Sequence, residues 1–134
     1  MALDAKDLKG AKKVVYLRIS NREQAAGDAG KPKEKQQTFK EQLARVNQYL
    51  TDNNLGKADE KFVFREIGTG ADPTRPIWKE SIQTASALKG KVVYIVTELS
   101  RFARNLRYGA SATIPLYEND VPMLSTDERL IIGT

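Results

Sequence analysis

The chain has 134 residues, 40% of them hydrophobic, with no cysteine, no histidine and a formal net charge of +5. That profile fits one globular domain with its own core and excludes disulfides, Ser-His and Cys-His nucleophile pairs and most zinc sites. No apolar run is long enough to span a membrane, and residues 1–12 read as a polar N-terminal tail without a signal-peptide core, so the cytoplasm is the default compartment. Residues 1–37 hold nine Lys or Arg against five Asp or Glu, and the rest of the chain is nearly neutral. On charge alone this reads as a solvated basic tail and loop, with a mild hint of nucleic acid.

Lys13 to Arg18 is a short apolar run rich in β-formers and predicts a buried strand over residues 13–19. Asn21 to Gln37 is polar, with Gly27, Gly30 and Pro32, and predicts a long loop. Phe39, Leu43, Val46 and Leu50 recur at helical spacing and predict a helix over 38–53 that stops at Asn53-Asn54 and Gly56. Phe62-Val63-Phe64 predicts a second strand, over 61–66, followed by a loop from Gly68 to Thr74. Pro76 suits the first turn of a helix over 76–89, with Trp78, Ile82, Ala85 and Leu88 as its buried face and Gly90 as its end. Val92 to Val96 is continuously apolar and predicts a strand over 91–97 covered on both faces. Leu106, Ala110, Ile114 and Tyr117 fit a helix over 105–118, disturbed by Pro115, and Val121 to Leu124 a fourth strand, over 121–125. Leu130-Ile131-Ile132 is a candidate fifth strand. Strands alternating with helices predict an α/β fold: an open, mostly parallel sheet of four or five strands with flanking helices.

Active sites of such sheets lie beyond the carboxyl ends of the strands. Three polar clusters fall there, Arg18 to Gln24, Glu66 to Arg75 and Glu98 to Asn105, each after a separate strand. They bring together Arg18, Arg75, Arg101 and Arg104, with Ser20 two residues past the first. Arginine holds a phosphate through paired hydrogen bonds, so four of them around one hydroxyl point to phosphoryl transfer, carried mainly by electrostatic stabilisation. Each read singly is an ordinary residue: a surface arginine, a turn serine, solvated carboxylates at Glu66 and Glu98, surface amides at Gln24 and Gln42. The set, not any member, carries the inference.

The spacing also resembles a family. Tyr16-Leu17-Arg18-Ile19-Ser20-Asn21-Arg22-Glu23-Gln24 resembles the Y-x-R-[VI]-S-x-x-x-Q signature of serine recombinases, the group of resolvases, invertases and large serine integrases. Glu41-Gln42-Leu43 with Tyr49 resembles the helix that follows in the large integrases. Glu66-x-x-Thr69-Gly70 with Arg75-Pro76 resembles D-x-x-[SY]-G…RP, and Leu99-Ser100-Arg101-Phe102-Ala103-Arg104-Asn105 resembles L-D-R-[LF]-x-R-[ND]. Order and spacing hold from about Lys13 to Asp127, and the large serine integrases are the nearest likeness.

The resemblance implies a resolvase-like catalytic domain over residues 13–134. Ser20 would attack a phosphodiester of double-stranded DNA, leaving a 5′-phosphoserine link and a free 3′-hydroxyl. Arg18, Arg75, Arg101 and Arg104 match the phosphate-binding arginines, and Gln24 a residue near the nucleophile. Gln42, Glu66, Thr69, Ser100 and Asn105 match supporting positions. The resemblance implies no metal and no cofactor. It implies self-association to a dimer and tetramer through a long helix, and DNA-binding domains, both beyond the point where these residues stop. It places the protein in the cytoplasm, bacterial or phage-encoded, acting on the host chromosome. Ser100 stands where most members have Asp, as in some large integrases; Glu66 replaces Asp and keeps a carboxylate; the segment between Gln24 and Thr38 is longer than in small resolvases.

Two other classes compete. A degenerate relative that binds DNA or a partner without catalysis is motivated by Ser100 and Glu66 and opposed by the retention of Ser20 and all four arginines. A small-molecule phosphotransferase or nucleotide binder would need a G-x-x-x-x-G-K-[ST] or G-x-G-x-x-G loop, and the chain has neither.

Overall fold

The computed structural model describes residues 4–19, 39–67, 76–98 and 114–132. In chain order its main elements are β1 (Lys12–Ile19), α1 (Phe39–Asp52), β2 (Val63–Ile67), α2 (Pro76–Ala87), β3 (Val92–Val96), a helical segment α3 at residues 114–118, β4 (Met123–Ser125) and β5 (Leu130–Ile132). The strands form a single five-stranded sheet in the order β2-β1-β3-β4-β5. β1 runs parallel to β2 and to β3, and β3 parallel to β4. Only β5 is antiparallel, to β4. The turn at 126–129 is too short for anything else, because a parallel return needs a crossover of a dozen residues or more. The expected α/β architecture is therefore present, with five strands.

The topology decides where the helices sit. The chain steps from β1 to β2 in one direction, then back past β1 to β3 in the other. Right-handed crossovers then put α1 and α2 on opposite faces. The core accordingly divides in two. On one face Val46 and Leu50 of α1 pack with Val15 and Leu17 of β1, Val93 and Ile95 of β3, and Leu124. On the other Trp78, Ile82 and Ala85 of α2 pack with Val14 and Tyr16, with Tyr94 and Val96, and with Leu116 of α3. Successive strand residues supply alternate faces, which is why Val14 to Leu17 of β1 and all of β3 read as unbroken apolar runs. Leu17, Leu50 and Leu124 are fully buried, each stabilising the fold by about 1.5–3 kcal/mol relative to exposure.

The element ends have local causes. α1 closes on Asn54 in the left-handed region (φ 57°), with the Leu55 amide donating to the Leu50 carbonyl at 2.8 Å. α2 begins on Pro76, as its sequence foretells. Pro115 lies in α3 with its carbonyl accepting from the Asn119 amide at 3.1 Å; the expected helical residues 105–113 lie outside the described residues.

Two expectations need correction. Phe62 does not open the second strand; it ends a 3-10 turn, Glu60–Phe62, and half-buries its ring below the sheet edge. Residues 1–12 are not all a detached polar tail. Ala5–Leu8 forms a 3-10 turn, and Leu8 and Ala11 are buried against the α1 face. One leucine in a polar segment suffices to dock it, because it closes the open end of an apolar layer.

Candidate active site

In an open sheet the crevice forms where the strand order reverses. Here the reversal lies between β1 and β3. The two strands pair only from Lys12 to Val15 on β1, so the last residues of β1 leave the ladder with β3 before the strand ends. Arg18 and Ile19 stand at this tip, with Ser20 next in the chain. Arg18 is level with Glu66 at the tip of β2. Val96, Thr97 and Glu98 lead out of β3 on the other side. The three polar clusters singled out in the sequence thus begin side by side, at one end of three adjacent parallel strands. Of the residues proposed for the site, Arg18, Gln42 and Glu66 are described; Ser20, Gln24, Thr69, Arg75, Ser100, Arg101, Arg104 and Asn105 lie outside the described residues.

Each described member is fixed by contacts that composition alone would not suggest. The Gln42 carboxamide reaches from α1 to the backbone of Arg18. Its Nε2 donates to the Arg18 carbonyl at 3.0 Å, and its Oε1 accepts from the Arg18 amide at 3.3 Å. One side chain so takes the place of a neighbouring strand, satisfying both backbone groups where the β1–β3 ladder has already stopped. Gln42 is 3% exposed, which rules out a surface amide. It holds the strand tip two residues before Ser20.

Glu66 is 4% exposed and is not a solvated carboxylate. Its Oε1 accepts from the Tyr16 hydroxyl at 2.6 Å and from the Trp78 amide at 3.3 Å, and its Oε2 accepts from the Ile77 amide at 3.0 Å. These two amides belong to the first turn of α2, where backbone N–H groups lack partners within the helix and the helix dipole favours a negative charge. Glu66 therefore caps α2 from a neighbouring strand and at the same time ties β2 to β1 through Tyr16. Arg75 immediately precedes the capped turn.

Below the cap lies a polar cluster that the sequence reading missed. Ser81 Oγ donates to the Trp78 carbonyl at 2.6 Å and lies 2.8 Å from the Tyr94 hydroxyl. Since Ser81 has spent its one proton, Tyr94 donates to Ser81. Burial pushes the Tyr94 hydroxyl well above the ordinary tyrosine range; the Ser81 hydroxyl opposes the shift and the Glu66 charge reinforces it. Tyr94 is thus a neutral structural donor and no general base. Ser81 stands at helical spacing with Trp78, Ile82 and Ala85, and that in-phase polar residue was the available signal.

The whole domain matches one family model, the resolvase N-terminal domain, over residues 13–133. The chain belongs to the resolvase N-terminal domain family. This family lies within the serine recombinases, which carry out site-specific recombination of DNA and act as oligomers. Comparison with curated proteins and with solved structures finds no match. Among the described residues no helix is long and apolar enough to cross a membrane. In this resolvase-family domain the carboxylate at position 66, Glu where the signature has Asp, is consumed by capping and by Tyr16, so its described contacts are structural.

Proposed function

We propose that this domain cuts and rejoins double-stranded DNA with Ser20 as nucleophile. The Ser20 Oγ attacks a phosphodiester phosphorus, the P–O3′ bond breaks, and the 3′-oxygen leaves with a proton as a hydroxyl. The phosphodiester survives as a 5′-phosphoserine, so the reverse attack by a 3′-hydroxyl rejoins the strand without an energy source. Arg18, Arg75, Arg101 and Arg104 bind the phosphate and stabilise the charge that develops on its oxygens. Gln24, Thr69, Ser100 and Asn105 support the site. Gln42 and Glu66 act as positioning residues.

The observation that carries this reading is the reversal of strand order between β1 and β3, with Arg18 clamped at the tip of β1 two residues from Ser20. The longer segment after Gln24 and the Ser at position 100 favour the large-integrase branch, in a bacterial or phage-encoded mobile element acting in the cytoplasm. The active form is a dimer and tetramer of the full protein, as the family's oligomeric habit supports. In that protein Ser20→Ala abolishes strand cleavage and leaves DNA affinity nearly unchanged, because it removes a hydroxyl and no phosphate-pairing charge. Arg101→Lys lowers cleavage by 100-fold or more, roughly the cost of one lost transition-state donor, since lysine keeps the charge but not the paired donors. Normal cleavage by Ser20→Ala would refute the assignment, and the absence of cleavage in the parent would favour the degenerate, DNA-binding relative.

A further inference from the structure

The opposite end of the sheet carries a local excess of positive charge. Three connections meet there, residues 9–13 before and into β1, 56–62 leading to β2, and 88–92 leading to β3. Together they hold seven lysines, at 9, 12, 13, 57, 61, 89 and 91, against two carboxylates, Asp59 and Glu60. That excess equals the formal net charge of the whole chain, +5, so the remainder is balanced.

The lysines are neighbours in space. Lys12 begins β1 beside the start of β3, its amide donating to the Lys91 carbonyl at 2.8 Å. Its Nζ donates to the Lys89 carbonyl at 2.9 Å, and the Lys91 Nζ to the Lys9 carbonyl at 3.3 Å. Lys12, Lys13 and Lys57 line one basin with Ala11, Asp59 and Phe62, and the Lys61 ammonium lies 5.2 Å from the centre of the Phe62 ring. Backbone carbonyls, which bear no net charge, hold three of the ammonium groups near the rim. Both carboxylates are already engaged, Asp59 with Lys61 at 3.8 Å and Glu60 with Arg65 at 2.6 Å. Six of the lysines are exposed and Lys13 is half-buried.

We propose that this lysine-rich end is a second, sequence-neutral binding surface for the phosphate backbone of duplex DNA, separate from the candidate active site. Eight strand residues at ~3.3 Å each put it about 25 Å from the tip of β1. None of the exposed large hydrophobic residues among those described (Ile67, Ile114, Tyr117, Leu130 and Ile132) lies on these connections. A surface of ammonium groups without apolar anchors suits a polyanion better than a membrane or a packed protein face.

The test is equilibrium binding of a short random-sequence duplex to the chain, followed by fluorescence anisotropy from roughly 50 to 200 mM salt, where phosphate contacts dominate. The triple variant Lys57→Gln, Lys89→Gln, Lys91→Gln is expected to flatten the plot of log K against log salt by about 2–3, near 0.9 per lost phosphate contact. The triple Arg variant at the same positions is expected to keep the parent slope. An unchanged slope in the Gln variant, or no duplex binding by the parent at the lowest salt, overturns the proposal. So does a Gln variant that binds DNA normally but loses self-association in sedimentation, which would assign the surface to an acidic protein face. No bond is cut in this assay and no candidate active-site residue is changed, so an unchanged slope in the Gln variant overturns this surface and leaves the Ser20 reading untouched, whereas absent binding by the parent counts against both.

Discussion

Removing the Glu66 carboxylate should unfasten three elements at once. In Glu66→Ala the Tyr16 hydroxyl and the Ile77 and Trp78 amides lose their acceptor in a site that is 4% exposed. A buried donor left unsatisfied costs about 1–3 kcal/mol, and a lost helix cap typically ~1 kcal/mol. Water entering the vacated space recovers part of this. The expected loss is therefore about 3 kcal/mol, a fall in Tm of roughly 10 °C for a domain of this size. Glu66→Gln keeps one acceptor oxygen but turns an NH₂ group toward a helix amide, so it should lose about 1–2 kcal/mol, an intermediate value. Thermal and urea unfolding of the single variants, of Tyr16→Phe and of the doubles measure this directly. The Tyr16–Glu66 pair should show a coupling energy of about 1–2 kcal/mol. A Tm for Glu66→Ala within about 2 °C of the parent, or strict additivity with Tyr16→Phe, would refute the capping argument.

Gln42→Leu preserves volume but leaves the Arg18 amide and carbonyl without their partner. Amide exchange at Arg18 should quicken about tenfold or more, in line with a lost local stabilisation of ~1.4 kcal/mol, and cleavage by the recombinase should fall while DNA affinity holds. Tyr94 links stability to alkaline pH. Its folded-state pKa lies above the unfolded value of 10.0, so the stabilisation is fully present below pH 10. Above that the unfolded chain gives up a proton that the folded chain retains, and stability falls by about 1.4 kcal/mol per pH unit for this one group. Unfolding followed by urea at increasing pH should show that slope, and Tyr94→Phe should reduce it.

The elements legible in the sequence are those whose pattern is set by burial alone. The centre of β1, Val14 to Leu17, and all of β3 are apolar because both faces are covered, and α1 and α2 carry stripes at helical spacing. The 3-10 turns were not legible, since three or four residues carry no period. The misjudged polar residues were legible in principle. Gln42 is in phase with Val46 and Leu50, and all three are buried; Glu66 continues the face of Phe62 and Phe64. A polar group on an apolar stripe must find partners, but which partners depends on long-range geometry: Gln42 meets Arg18 across 24 residues and Glu66 meets Tyr16 across 50. The candidate arginines rest on a different signal, their recurrence after successive strands.

The proposed chemistry requires a covalent bond between Ser20 and DNA, and that bond can be trapped and mapped. The recombinase is incubated with a cognate duplex nicked beside the scissile phosphate, so that a broken strand cannot be rejoined, then digested, and the nucleotide-bearing peptide is sequenced by mass spectrometry. A 5′-phosphate ester on Ser20 is expected, with no adduct in Ser20→Ala. An adduct on Ser100, or on any residue other than Ser20, would contradict it.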